Sequence, residues 1–234
     1  MESTTHSQSA DRHGVVGDPS TSTLEIFVER VTPILVFLFS LTYLCAFVRY
    51  SSLEPDEGIL LQGGLRILDG QIPYRDFFSF YTPGSFYLLA GAFKVFGDSF
   101  VVARLSLAIT GAACSVVTYA LARRVCSRGF ALFASALATA AGVAYRFLVL
   151  HNWYSTLLAC LALYGAVRFL KSRKPAWAFA TGSLCSLTVM FEQSKGAGLC
   201  FGLVLSFLAL RILGQLCRIS IFWTVRLRAR IQPR

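Results

Sequence analysis

The chain consists mainly of long uncharged apolar runs, which are separated by short clusters of Arg and Lys. This pattern restricts the possible folds more than any other feature of the sequence. Hydrophobic residues make up 55% of its 234 residues and charged residues only 15%, against roughly 25% in soluble domains. Lipid offers no hydrogen bonds to unpaired backbone groups, so apolar runs of this kind cross a bilayer as helices. The sequence therefore predicts an all-α, polytopic transmembrane helical bundle.

About six runs have the composition of membrane spans. The first follows a long polar segment and lacks the small-residue cleavage site of a signal peptide, so we interpret it as an uncleaved helix. The last is short for a span, and we expect it to extend past Arg211. The six predicted spans cover residues 31–48, 99–121, 129–145, 152–167, 175–191 and 196–210.

The flanking segments are polar or basic. Residues 1–30 predict a disordered cytoplasmic tail, residues 31–213 the membrane domain, and residues 214–234 a basic cytoplasmic tail on an anionic membrane surface. The net charge of +10 does not predict nucleic-acid binding, because the basic residues lie between and after the apolar runs and no nucleic-acid motif accompanies them. The distribution of Lys and Arg instead predicts a multi-pass protein of the cell (inner) membrane with both termini cytoplasmic.

The longest segment between spans, residues 49–98, is predicted to be an outer loop. Residues 56–68 and 83–96 have apolar stripes at helical spacing, and Asp56 is a residue type that caps helices. Residues 77–93 are apolar enough to cross, but a crossing there would move every later basic cluster to the outer side. We therefore expect two helices lying along the membrane surface.

The strongest local signal is the carboxylate pair Asp56-Glu57, directly after the first span. Two adjacent carboxylates at a membrane surface fit general-base chemistry, metal binding, or simply a helix cap and its solvated neighbour. The residues alone favour the cap. Seven scattered cysteines without metal-ligand spacing indicate buried free thiols, and we expect no zinc site.

Five short motifs between residues 56 and 105 occur in a fixed order that resembles the first outer loop of the GT-C membrane glycosyltransferases. The resemblance is to the branch of dolichyl-phosphate-mannose protein mannosyltransferases and lipid A aminoarabinose transferases, and within it to the bacterial RgtA/B/C/D-like group. The motifs are Asp56-Glu57, Gly70-x-x-Pro73-Tyr74, Tyr81-Thr82-Pro83-Gly84, Phe96-Gly97 and Ala103-Arg104-Leu105.

The resemblance implies an inverting sugar transferase that uses a polyprenyl-phosphate-linked donor on the outer face of the membrane. In that family the first-loop Asp is the catalytic base, so the role falls on Asp56, with Glu57 as its neighbour in the catalytic pair. The acceptor would be a hydroxyl of a glycan, a lipid or a protein. Relatives differ in their need for a divalent metal. One pair of carboxylates supplies few of the oxygen ligands that Mg²⁺ or Mn²⁺ requires.

Four cations are candidates to stabilise the departing lipid phosphate: Arg75, Lys94, Arg104 and Lys195. Arg104 lies one turn inside the second predicted span, where it either binds the donor or snorkels to the headgroups. Lys195 matches a position where relatives often carry Lys, or it is an ordinary loop cation.

His151, at the outer end of a span, either assists the reaction or belongs to the interfacial belt with its Trp and Tyr neighbours. Some relatives carry an acidic residue near this position. No carboxylate adjoins His151 in the sequence, so a second acid is not predicted.

Family members are usually much longer, with more spans and often an outer C-terminal domain, so the comparison predicts a truncated chain. The alternative to a glycosyltransferase is then a non-catalytic membrane scaffold or an inactive truncated relative. The Asp56-Glu57 pair favours the enzyme, and the short chain favours the scaffold.

The predicted topology places residue 71 outside the cell. A Gln71→Cys variant, in a background without other accessible cysteines, should react in intact cells with a membrane-impermeant thiol reagent, because residues 49–98 are expected to be outside. Labelling only after the membrane is opened would show that the loop lies on the cytoplasmic side.

Overall fold

The computed structural model describes residues 19–49, 54–145 and 147–231, and within these ranges the regular structure is helical. The predicted all-α membrane helical bundle is confirmed. The helices are α1 (Pro19–Cys45), α2 (Pro55–Leu68), α3 (Gly84–Phe96), α4 (Phe100–Ala122), α5 (Arg128–Leu137, continued by a π-helical segment, Ala138–Val143), α6 (His151–Ser172), α7 (Pro175–Phe191) and α8 (Gln193–Ile231).

Four helical segments are long and apolar enough to cross a membrane: Phe27–Cys45, Phe100–Ala122, His151–Ser172 and Gln193–Leu213. They coincide with four of the six predicted spans. The other two predicted spans correspond to shorter apolar helices, Arg128–Val143 and Pro175–Phe191, so their crossing stays a prediction.

The ends of the first and last helices differ from the predicted boundaries. Helix α1 begins at Pro19, within the predicted N-terminal tail, while residues 1–18 lie outside the described part of the chain. Helix α8 continues without a break to Ile231 over 39 residues. At 1.5 Å per residue it is about 58 Å long, roughly twice the thickness of a hydrocarbon core. The predicted basic tail is therefore a continuation of the last helix as far as Ile231.

Side-chain contacts join several helix ends on one face of the bundle, which we call the basic face. They link the start of α1, the end of α4, the end of α6 and the start of α7, as the charge distribution predicts. These contacts are the Arg123–Glu29 ion pair (2.8 Å), the Arg124–Tyr164 hydrogen bond (3.1 Å) and the Arg168 guanidinium 5.1 Å from the Trp177 ring centre.

The opposite face, which we call the site face, carries α2 and α3. Arg104 Nη1, near the start of α4, donates to the Val48 carbonyl just after α1 at 3.2 Å. The segment between Val48 and Arg104 therefore begins and ends on the same face of the bundle. With 14 and 13 residues, α2 and α3 are each about 20 Å long, short of the roughly 30 Å needed to span. This agrees with the predicted loop helices, whose position along the membrane surface stays a prediction.

Adjacent glycines bring α2 and α3 together. A Cβ atom on Gly63 would lie 2.4 Å from the Phe86 ring, and one on Gly64 would lie 3.1 Å from Leu89 Cβ. Phe86 and Leu89 are fully buried between the two helices. The Gly63-Gly64 pair therefore allows the first loop to fold as a close helical hairpin.

Gly84 provides an equally close contact between α3 and α7. A Cβ atom there would lie 2.7 Å from the Met190 carbonyl oxygen and 2.9 Å from the Phe191 ring. The Pro83-Gly84 segment thus fixes the start of α3 against the end of α7, which places residues 81 and 82 beside the α7–α8 turn.

This contact can be tested with two glycine variants on one helix. Gly84→Ala should lower the melting temperature, since overpacking against backbone costs about 1–3 kcal/mol. Gly91→Ala is the matched control, because nothing lies within 4 Å of a Cβ atom there and the substitution favours helix formation. Thermal unfolding of the detergent-purified proteins compares the two. Equal melting temperatures would contradict the close α3–α7 contact.

Candidate active site

The first turn of α2 directs its two adjacent carboxylates to different surroundings. Glu54 occupies the N-cap position and Pro55 the first turn, so the prediction that Asp56 caps the helix is wrong. Asp56 is exposed, whereas Glu57 is buried. Both carboxylates still benefit from the positive end of the helix dipole.

Glu57 forms a bidentate ion pair with Arg104 inside the bundle, with both side chains only 1% exposed. Arg104 Nη2 and Nε donate to the two carboxylate oxygens at 2.9 and 3.1 Å, and the Val149 amide donates to Glu57 Oε1 at 3.1 Å. The guanidinium carbon also lies 3.9 Å from the Phe100 ring centre. Such a pair is worth most when every donor and acceptor is used.

Two of the predicted site residues, Arg104 and Glu57, are therefore buried inside the protein and paired with each other. Arg104 neither snorkels to the headgroups nor faces an open site, because Glu57 and the Val48 carbonyl take its nitrogens. Glu57 is enclosed as well, so it is not open to an acceptor hydroxyl. The pair instead ties α2, α4 and the segment before α6 together.

Asp56 points toward Tyr81 and His151. Burial raises the pKa of Tyr81, and the nearby Asp56 carboxylate raises that pKa further. The Tyr81 ring packs against the His151 ring with centres 4.7 Å apart. His151 is also within electrostatic reach of Asp56 and Glu192.

Glu192 and Lys195 form a second polar cluster at the turn between α7 and α8. Lys195 Nζ lies 2.8 Å from Glu192 Oε2 and 2.9 Å from each of three oxygens at the start of α6, those of Asn152, Ser155 and Thr156. The Ser155 hydroxyl donates to Glu192 Oε2 at 2.7 Å. Burial opposes ionisation of Glu192, but the hydrogen bonds from Lys195 and Ser155 outweigh it and lower the pKa of the carboxyl.

A cavity of about 330 Å³ lies between these groups on the site face. Within the described part of the chain, Thr82 Oγ1 and His151 Nδ1 are buried without a hydrogen-bond partner. Buried polar atoms are normally bonded, so both are available to a ligand or to water. The cavity is lined by Phe80, Tyr81, Thr82, His151, Glu192, Gln193 and Ser194.

None of the four predicted cations is a lining residue of this cavity, although Lys195 is paired with Glu192, which is one. Arg75 is 65% exposed and donates to both oxygens of Asp76, and this hydrogen bonding lowers the pKa of Asp76 to about 2. Lys94 is exposed in the last turn of α3. The loop carrying Arg75 is nonetheless tied to the cavity, because the Tyr74 hydroxyl donates to the Tyr81 carbonyl at 2.6 Å.

Glu192 is the functional candidate that the sequence analysis missed. It is remote from His151 in the sequence, and only packing of α6 against α7 brings the two together. One signal was present: Glu192 lies three residues before Lys195, at the junction of two apolar helices. Glu192 is therefore a candidate for the second acid, which the sequence around His151 does not predict.

Among the side chains that the structure describes, no cluster of three or more His, Cys, Asp or Glu residues could hold a metal ion. The polar groups at the cavity are the Glu192 carboxylate, the His151 imidazole, the Gln193 amide and hydroxyl groups.

The family model for dolichyl-phosphate-mannose-protein mannosyltransferases matches residues 81–228, more than half of the chain. The chain belongs to this family. The match includes Tyr81, His151, Glu192 and Lys195 around the cavity, and it begins after Asp56. Neither the curated proteins nor the solved structures include a significant match. Membership in this mannosyltransferase family identifies the chain as a membrane protein of glycosyltransferase type.

The buried ion pair predicts a large effect from a small substitution. Glu57→Gln should lower the stability of the fold by about 3–5 kcal/mol, because it leaves the Arg104 charge buried without its counter-ion. Asp69→Asn, at the exposed end of the same helix, is the control and should change stability little. Melting temperatures of the purified proteins measure the difference. A Glu57→Gln protein as stable as the control would show that the pair does not hold the loop.

Proposed function

We propose that this chain transfers a sugar from a polyprenyl-phosphate-linked donor to an acceptor hydroxyl, with Asp56 as the general base. The observation that carries the proposal is the position of Asp56. Its exposed carboxylate is within electrostatic reach of Tyr81 and His151, and both of these residues line the cavity. Tyr81 and His151 also lie within the segment that matches the mannosyltransferase family.

The reaction needs one base on the side of the sugar opposite the leaving group. The acceptor oxygen attacks the anomeric carbon while its proton moves to the Asp56 carboxylate. The bond from the anomeric carbon to the phosphate oxygen breaks, its electron pair stays with the phosphate, and the configuration inverts.

Lys195 is best placed to stabilise the departing phosphate. Its ammonium group has three protons and four oxygen partners within 2.9 Å, so a phosphate oxygen can take the place of one partner. Glu192 is the partner that also lines the cavity. Arg75 and Lys94, both exposed on the site face, would act at longer range on the lipid phosphate. Arg104 instead anchors the loop from within.

The cavity has the mixture of surfaces that a sugar requires. The rings of Phe80, Tyr81 and His151 offer apolar faces, while Glu192 and Gln193 offer acceptors and donors for hydroxyl groups. The acceptor hydroxyl belongs to a glycan, a lipid or a protein, and the site face is then the outer face of the cell membrane.

The test compares two Asp→Asn variants on one helix. Asp56→Asn should reduce sugar transfer by about 100- to 10,000-fold, because it removes the base while keeping the side-chain size. Asp69→Asn, at the other end of α2, should leave transfer near the wild-type rate. Transfer from radiolabelled polyprenyl-phosphate hexoses is followed in proteoliposomes at matched protein content.

Two outcomes would contradict the proposal. Wild-type-like transfer by Asp56→Asn would remove the general-base assignment. Absence of transfer by the wild-type protein from every polyprenyl-phosphate hexose tested would favour the non-catalytic membrane scaffold.

A further inference from the structure

An apolar groove lies between α1 and α5, away from the site face. Its volume is about 460 Å³, and it begins at the basic face, where both helices start. Residues of α1 and α5 at helical spacing form its two walls. The lining residues are Val28, Thr32, Leu35, Val36, Phe39 and Ser40 on α1 and Arg128, Leu132, Ser135 and Ala136 on α5.

Two hydroxyl groups in the walls of this groove form hydrogen bonds within the protein. The Thr32 hydroxyl donates to the Val28 carbonyl of its own helix at 2.6 Å. The Ser40 hydroxyl is hydrogen-bonded to Thr139 at 3.0 Å. With these two groups satisfied inside the protein, the groove offers hydrocarbon contact from Leu35, Phe39 and Leu132.

The mouth of the groove is positively charged. Arg128 lines it at the first residue of α5, and its Nε is buried without a hydrogen-bond partner in the described structure. The N-cap residue Ser127 makes no side-chain cap bond, so the amide groups of the first turn of α5 lack a side-chain acceptor. Arg123 and Arg124 line an adjoining pocket at the end of α4 together with Glu29, which is ion-paired with Arg123 at 2.8 Å, so the charge of that pocket stays positive. A negative group at this position would satisfy the unpaired donor and the helix end together.

The depth of the groove indicates the kind of chain that fills it. From Val28 to Phe39 the α1 wall rises about 16 Å, at 1.5 Å per residue. That is roughly half of a 30 Å hydrocarbon core, or the thickness of one leaflet. An acyl chain that starts at the headgroup level of the basic face has this reach.

We propose that this groove binds an anionic phospholipid of the surrounding leaflet, with its phosphate at Arg128 and one acyl chain between α1 and α5. This site is separate from the cavity proposed for sugar transfer, since it opens on the other face of the bundle. Charge complementarity selects the lipid: the mouth carries an unpaired guanidinium nitrogen, and basic segments attract anionic headgroups. The bound lipid fills the gap between two helices that otherwise meet mainly through α4.

The experiment measures lipid retention by the full chain. Detergent-purified protein is titrated with phosphatidylglycerol or with phosphatidylcholine of identical acyl chains, and bound lipid is counted by native mass spectrometry. Wild-type protein should prefer phosphatidylglycerol. Arg128→Gln should weaken phosphatidylglycerol binding about five- to tenfold, as expected for one cation at a headgroup. Lys171→Gln removes a charge from an exposed position on the same face and should change binding by less than about twofold.

A second variant tests the groove independently of charge. Ala136→Phe fills its inner end and should weaken binding of phosphatidylglycerol without altering the charge at the mouth. Melting temperatures measured without added lipid establish that each variant is folded.

Three results would overturn the proposal. Equal binding of the two phospholipids would show that charge does not select the occupant. Equal effects of Arg128→Gln and Lys171→Gln would place the lipid elsewhere on the basic face. Displacement of phosphatidylglycerol by an equal concentration of a polyprenyl phosphate would assign the groove to the donor lipid.

Discussion

The ion pair between Glu57 and Arg104 is the interaction on which the site face depends. Two charges withdrawn from water are tolerable only when every donor and acceptor is used, and here the Val149 amide and the Val48 carbonyl complete the set. The pair therefore connects the end of α1, the start of α2, the start of α4 and the segment before α6. Asp56 takes its position from this pair, because it is the next residue along α2.

Adjacent positions on a helix point about 100° apart, so a carboxylate pair cannot face one site with both members. In this protein the helix turns Glu57 inward and leaves Asp56 at the rim. The two acids of one motif thus differ in surroundings, because Glu57 holds the loop through Arg104 and Asp56 stays exposed near Tyr81. The contacts in the folded protein show this difference between Asp56 and Glu57, whereas the sequence alone does not.

The helical character of the bundle follows from composition, because lipid permits few other backbone arrangements. The sequence also predicts the first-loop helices and the grouping of basic clusters on one face, since these depend on local spacing and on charge. It does not predict the partner of Arg104, because an intramembrane cation can bind an anionic ligand or extend to the headgroups, and neither alternative pairs it with a buried carboxylate. Nor does it predict Glu192 at the cavity, which arrives through packing of α6 against α7.

The contact of Gly84 with the Met190 carbonyl has a consequence for how the shape of the cavity can change. Main chain lies against main chain there, so the separation between Tyr81 and Glu192 across the cavity is set by backbone and not by side chains. Mutations that alter side chains elsewhere leave that dimension unchanged. The size of the cavity can therefore change most directly through Phe80, an exposed lining residue in the segment before Tyr81 that belongs to no helix.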